Sequence, residues 1–140
     1  MGAPYYGATA AVAFLAGARY ISALDAGNTN YAAYASFDGE GRPMRVLLLN
    51  SDYYTGSGSR GAQSFTLTGL AGATAVKAKR LTAGSSLSRA DRGDDLSFGG
   101  QYWVNGTCVV GGTERFETAS VQSGQATFDI KAAEALVVYL

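Results

Sequence analysis

The chain has 140 residues, with 11 Lys and Arg against 11 Asp and Glu, no His and one Cys. Zero net charge argues against nucleic acid or an anionic membrane as a partner, because both demand a basic field. The absence of His removes the commonest general base and metal ligand, and the lone Cys108 allows no intrachain disulfide. No cofactor or metal site is expected. The length suits one domain over residues 1–140, with a helical segment at 1–17 and a β region at 18–140.

Pro4 suits a first helical turn and Gly17 a helix end. The alanine-rich stretch between them predicts a helix from Tyr5 to Ala16. The apolar run Ala8 to Ala16 has no Lys or Arg before it, so it reads as part of the fold and not as a signal peptide. It is also too short to span a bilayer.

Beyond Gly17 the period changes to two. Strands are predicted at Tyr20–Leu24, Tyr31–Phe37 and Met44–Asn50, the last two joined by the turn at Asp38–Pro43. Further strands follow at Ser64–Leu70, at Ala75–Leu81 with Lys77 and Lys79 facing solvent, and at Leu96–Phe98 and Gln101–Val104. The hairpin Arg115–Val121/Gln125–Ile130 and the two-sided apolar strand Ala135–Leu140 close the chain. Strands at this spacing build a sandwich or a barrel. Val46, Leu48, Phe65, Leu67, Phe128, Val137 and Tyr139 are the expected core. Ser51–Gln63 and Gly84–Asp95 exceed hairpin loops and are where function would sit.

Several short matches have ordinary readings. Gly56-Ser57-Gly58-Ser59-Arg60-Gly61 fits the dinucleotide pattern, but a strand follows it where a helix is needed. Arg92-Gly93-Asp94 is an adhesion tripeptide inside a polar loop. Asp91, Asp94 and Asp95 cluster without the spacing of a Ca²⁺ loop. Glu114 and Glu117 fall on opposite faces of a strand, and Asp52 has no evident partner, so neither supplies the carboxylate pair of a glycosidase. Asn105-Gly106-Thr107 is a glycosylation sequon, with Asn105 the acceptor.

The binding candidates are aromatic. Sugar rings stack on aromatic faces, and Tyr53, Tyr54, Tyr102 and Trp103 could supply them, with Asn50, Asp52 and Asn105 bonding hydroxyls. The alternative is that these aromatics cover the ends of the β domain or its contact with another domain.

Pro4-Tyr5-Tyr6-Gly7, Tyr31-Ala32-Ala33-Tyr34, the run Arg45 to Tyr54, Val76 to Ala83, Gly99-Gly100-Gln101 and Glu134 to Leu140 occur in an order that resembles the C-terminal β domain of glycoside hydrolase family 79, the β-glucuronidase and heparanase-like family. The resemblance implies an all-β fold: an antiparallel Greek-key β-sandwich of about eight or nine strands with one short N-terminal helix. It implies a location outside the cell and a catalytic barrel as partner. That barrel carries the family's two catalytic glutamates, which have no matching positions here, so the chain is not expected to be an enzyme. The rival expectation is a free-standing carbohydrate-binding, lectin-like protein with a glycan as partner. The resemblance also implies a helix buried on two sides. Tyr5, Tyr6, Phe14 and Leu15 would then be exposed without the barrel and would drive self-association as a homodimer.

Overall fold

The computed structural model describes residues 3–140 apart from Asn105 and Cys108; the sequon asparagine and the single cysteine lie outside the described residues. Helix α1 (Ala3–Leu15) begins two residues before the predicted start. It ends where Gly17 adopts a φ of +74°, which a side chain would resist. Ala18 N–H donates to the Leu15 carbonyl at 2.9 Å, and the Arg45 guanidinium donates to the Ala16 carbonyl at 2.6 Å. A cation at this end also opposes the negative pole of the helix.

Eleven strands follow among the described residues, all in antiparallel pairs. The large sheet runs β1 (Tyr20–Ala23), β2 (Tyr31–Phe37), β3 (Pro43–Asn50), β11 (Glu134–Tyr139), β5 (Ala75–Ala83), β6 (Leu96–Phe98), β7 (Gln101–Trp103), β8 (Val110–Gly112), with β9 (Glu117–Ser120) on the first half of β5. The small sheet is β4 (Ala62–Leu67) beside β10 (Ala126–Lys131). The chain leaves the large sheet after β3, returns at β5, and fills the gap between them with its last strand. Leu136, Val137 and Val138 in that strand are fully buried, as two covered faces require.

One core lies between the sheets, around Leu48, Leu136, Val138, Phe128 and Ile130. The other lies between the large sheet and α1, around Phe14, Phe98 and Val137. Of the expected core, Val46, Leu48, Leu67, Phe128 and Val137 are buried, while Phe65 and Tyr139 are half-buried at its margins. Among the described residues no helix is long and apolar enough to cross a membrane.

Three expectations change. Strand β8 is missed because Gly111-Gly112 carries no alternation; its place is set by the Tyr102 ring, which lies so close that a Cβ on Gly111 would meet it at 2.6 Å. Lys79 does not face solvent. Its side chain is 11 % exposed, bonds Glu114 at 2.5 Å and lies 5.0 Å and 5.5 Å from the Phe98 and Phe116 ring centres. Two aromatic faces and a carboxylate compensate the lost water. Tyr6 and Phe14 are 2 % and 4 % exposed, so they belong to the core and not to a self-association surface. The outer face of α1 instead shows Tyr5, Val12 and Leu15, of which Val12 is 69 % exposed.

Candidate functional site

The two long loops meet. Ser86 N–H donates to the Tyr54 carbonyl at 2.9 Å, and Tyr54 N–H donates to the Ser86 hydroxyl at 2.9 Å. Residues 51–61 and 84–95 thus form a joined surface at the strand ends, as loops on a β scaffold commonly do.

On the first loop, Asp52 has a partner that the sequence did not suggest. It accepts the Tyr31 hydroxyl at 2.6 Å, and this bond pushes the phenol above its ordinary pKa. Tyr53 is 65 % exposed with an open ring. Tyr54 is half-buried, with the Arg60 guanidinium 5.1 Å from its ring centre. Gly56–Gly61 runs into β4, so no helix amides face the loop.

Asn50 does not belong to this surface. It is 2 % exposed, donates to the Ile130 carbonyl at 2.9 Å and accepts Asp52 N–H at 3.0 Å. Its amide joins β3 to β10, because a buried amide needs partners on both ends. It is one part of a polar junction. Glu134 accepts Arg80 at 2.6 Å, Thr82 at 2.7 Å and Lys131 N–H at 3.1 Å. Arg80 also grips Glu117 at 2.6 Å and 2.8 Å, and chiefly for that reason its pKa is raised further. Arg60 donates to the Ala132 and Ala83 carbonyls at 2.8 Å and 3.0 Å. Glu114 and Glu117 therefore neutralise neighbouring cations on opposite faces of β5, which is a structural use of both.

The second loop borders a hollow of about 510 Å³ lined by Tyr6, Asp94, Asp95, Ser97, Tyr102 and Trp103 among others. It brings together residues that the sequence offered separately, as an acidic cluster and as an aromatic pair. Tyr102 is 47 % exposed, with its ring lying against Gly111. Trp103 is less open than expected. It is half-buried, with the Tyr5 and Tyr6 rings edge-on at 5.3 Å and 5.2 Å, and its backbone N–H donates to the Tyr6 hydroxyl at 3.2 Å. Alternation explains this: one neighbour in β7 turns outward and the other turns under α1.

Asp91 is held below its ordinary pKa first by Arg89, which bonds it at 2.5 Å and 3.0 Å. Asp94 accepts Arg89 N–H at 2.7 Å beside the 3-10 turn Ala90–Arg92. Among the described residues, no group of three His, Cys, Asp or Glu is placed to hold a metal ion.

Comparison with known proteins adds two findings. Residues 31–137 match the family model described as the glycosyl hydrolase family 79 C-terminal beta domain. The crystal structure of a 4-O-α-L-rhamnosyl-β-D-glucuronidase from Fusarium oxysporum 12S, in complex with Rha-GlcA, superposes with a TM-score of 0.95 at 53 % identity. The match covers 100 % of this chain and 30 % of that one. No curated protein sequence matches the chain.

Proposed function

Because this chain belongs to the glycosyl hydrolase family 79 C-terminal beta domains, we propose that it serves as a non-catalytic accessory domain that braces the catalytic portion of such an enzyme. The observation that carries this reading is the extent of the match: the whole of this chain corresponds to 30 % of a glucuronidase. The outer face of α1 supports it. Tyr5, Val12 and Leu15 are exposed there, and the helix has no acidic residue in its first turn and no basic one in its last. A helix of that kind suits burial on two sides.

The test has two arms. The purified chain should not turn over an aryl β-D-glucuronide. Turnover that disappears on replacing a carboxylate of this chain would overturn the non-catalytic assignment. Mixed with the remaining 70 % of the Fusarium chain, expressed without its own β domain, the wild-type chain should raise that protein's melting temperature. A Val12→Lys/Leu15→Lys double variant should not. Equal stabilisation by both would remove α1 from the contact. Sedimentation of the chain alone covers the remaining case, in which a second copy occupies the same helix face.

A second reading, glycan contact by this domain, is favoured by the hollow beside β7. Tyr102 offers a half-open ring with Asp94 and Asp95 near it. Carboxylates accept hydroxyl hydrogens and repel uronate, so neutral sugars are the fitting class. A glycan array should show neutral oligosaccharides weakened by Tyr102→Ala. Binding that is indifferent to that change would place any glycan site elsewhere. Strong array binding by a chain that does not stabilise the catalytic portion would favour the free-standing lectin.

A further inference from the structure

Three short sequence motifs stand outside the function proposed above. In two of them the structure removes what the chemistry needs. A strand follows Gly56–Gly61 where a helix N-terminus is required, and Asp94 of the adhesion tripeptide is tied back to the Arg89 N–H at 2.7 Å. The third, Asn105-Gly106-Thr107, keeps its chemistry. The chain has Asn28, Asn30, Asn50 and Asn105, and only Asn105 is followed two residues later by Ser or Thr.

In sequence the motif falls between β7 and β8. Val104 N–H donates to the Val109 carbonyl at 2.8 Å and closes the hairpin at its tip, and Thr107 N–H donates to the Val104 carbonyl at 3.3 Å. Gly106 turns the chain there with a φ of +80°. Nothing lies within 4 Å of where a Cβ on Gly106 would stand. Val104, Gly106, Thr107 and Val109 are all exposed, so the described part of the tip stands in open space. A second observation points the same way. Val104, Val109 and Val110 are 41 %, 59 % and 50 % exposed, which leaves three apolar side chains together at one end of the hairpin. A bulky hydrophilic group on the tip would screen them.

We infer that Asn105 is an N-glycosylation site of the secreted protein, and that its glycan stands over the exposed tip of the β7–β8 hairpin. The donor class is a lipid-linked oligosaccharide diphosphate. The Asn105 amide nitrogen attacks the anomeric carbon of the first sugar. The N–C bond forms as the bond from that carbon to the diphosphate oxygen breaks, the lipid diphosphate leaves, and the amide nitrogen gives up one proton. Thr107 supplies the hydroxyl that the motif requires, and Gly106 puts no side chain in the way. The folded domain then has to supply room for the sugar, and the open tip supplies it. The tip therefore faces solvent in any larger assembly, and a catalytic portion docks elsewhere on the domain.

Intact mass of the 140-residue chain, secreted from yeast behind a leader peptide, tests the site. Wild type should carry an oligosaccharide that a peptide-N-glycosidase removes, converting the asparagine to aspartate. Asn105→Gln and Thr107→Ala should lose that mass completely, and Thr107→Ser should keep it. Mass is read on denatured protein from medium and cells together, so a variant that folds poorly still reports. Wild type at the mass of the bare chain would overturn the site, and so would sugar that survives Asn105→Gln. On the native secreted chain, an endoglycosidase should trim the glycan as completely as it does after denaturation. Trimming that needs denaturation would overturn the open tip. The readout is the sugar itself, so its failure leaves the α1 test untouched, and the reverse holds too.

Discussion

The junction around Glu134 and two open surfaces, the groove beside β4 and the outer face of α1, meet opposite demands in one small domain. At the junction, four strands converge and the buried carboxylate and amide are partnered: Glu134 takes three hydrogen bonds and the Asn50 amide bridges two strands. At the open surfaces, the groove lined by Leu24, Phe37, Val46, Phe65 and Leu67 is apolar, and so is the outer face of α1. A buried charge without partners would cost several kcal/mol, so the junction must be satisfied inside the domain. Exposed apolar surface costs less and is tolerated until a partner covers it. The closed region therefore carries the domain's own stability, and the outer face of α1 is where the proposed contact falls.

Substitutions can sharpen that contrast. The largest effect is expected in the closed region. Phe128 is 5 % exposed between the sheets, and Phe128→Ala should cost about 3–5 kcal/mol in denaturant unfolding. A near-neutral result would mean that the inter-sheet space collapses around the loss. Next is Glu134→Ala, which removes the buried carboxylate from Arg80, Thr82 and the Lys131 N–H and leaves Arg80 only the more exposed Glu117 as an ionic partner. About 3 kcal/mol is expected, and a double-mutant cycle with Arg80→Met should show strong coupling. Asn50→Ala should cost about 1–3 kcal/mol by removing the buried amide that bonds the Ile130 carbonyl and the Asp52 N–H.

A smaller, pH-dependent effect belongs to Asp25 at the rim of the groove. Its carboxylate accepts the N–H of Ala33 at 2.9 Å and of Gly27 at 2.8 Å, and these bonds hold its pKa below the ordinary carboxylate value. A lowered folded pKa contributes stability above the ordinary value, lost as pH falls through the lowered one. Melting temperatures of Asp25→Ala should therefore sit below wild type at neutral pH and converge on it in acid. A constant offset at all pH values would assign the effect to packing. The smallest effect is expected on the open region: Val12→Lys should change stability by no more than about 0.5 kcal/mol. A large loss would show that α1 depends on that face for its own folding.

The sequence carried the strands whose side chains alternate strongly. Tyr31–Phe37 and Leu96–Phe98 have the predicted bounds, and Ala135–Leu140 shifts by one residue. It carried β8 poorly, since glycines have no side chain to alternate. Lys79 misled because alternation reports a face and not what lies over that face; α1, Phe98 and Phe116 come from elsewhere in the chain. The acidic loop and the aromatic pair were visible separately, and their shared hollow was not.

Local pattern determined which segments extend, where glycine must turn the chain, and that the last strand is covered on both faces. These depend on neighbours within a few residues. Block order carried the family resemblance. Tertiary structure alone decided that Asn50 is a buried bridge between strands, that Tyr6 and Phe14 point inward while Val12 and Leu15 do not, and that among the described residues β4 pairs on one edge. Each depends on which residues, far apart in the chain, come within a few ångströms. Partners, burial and edge pairing are properties of that assembly, and periodicity along the chain does not encode them.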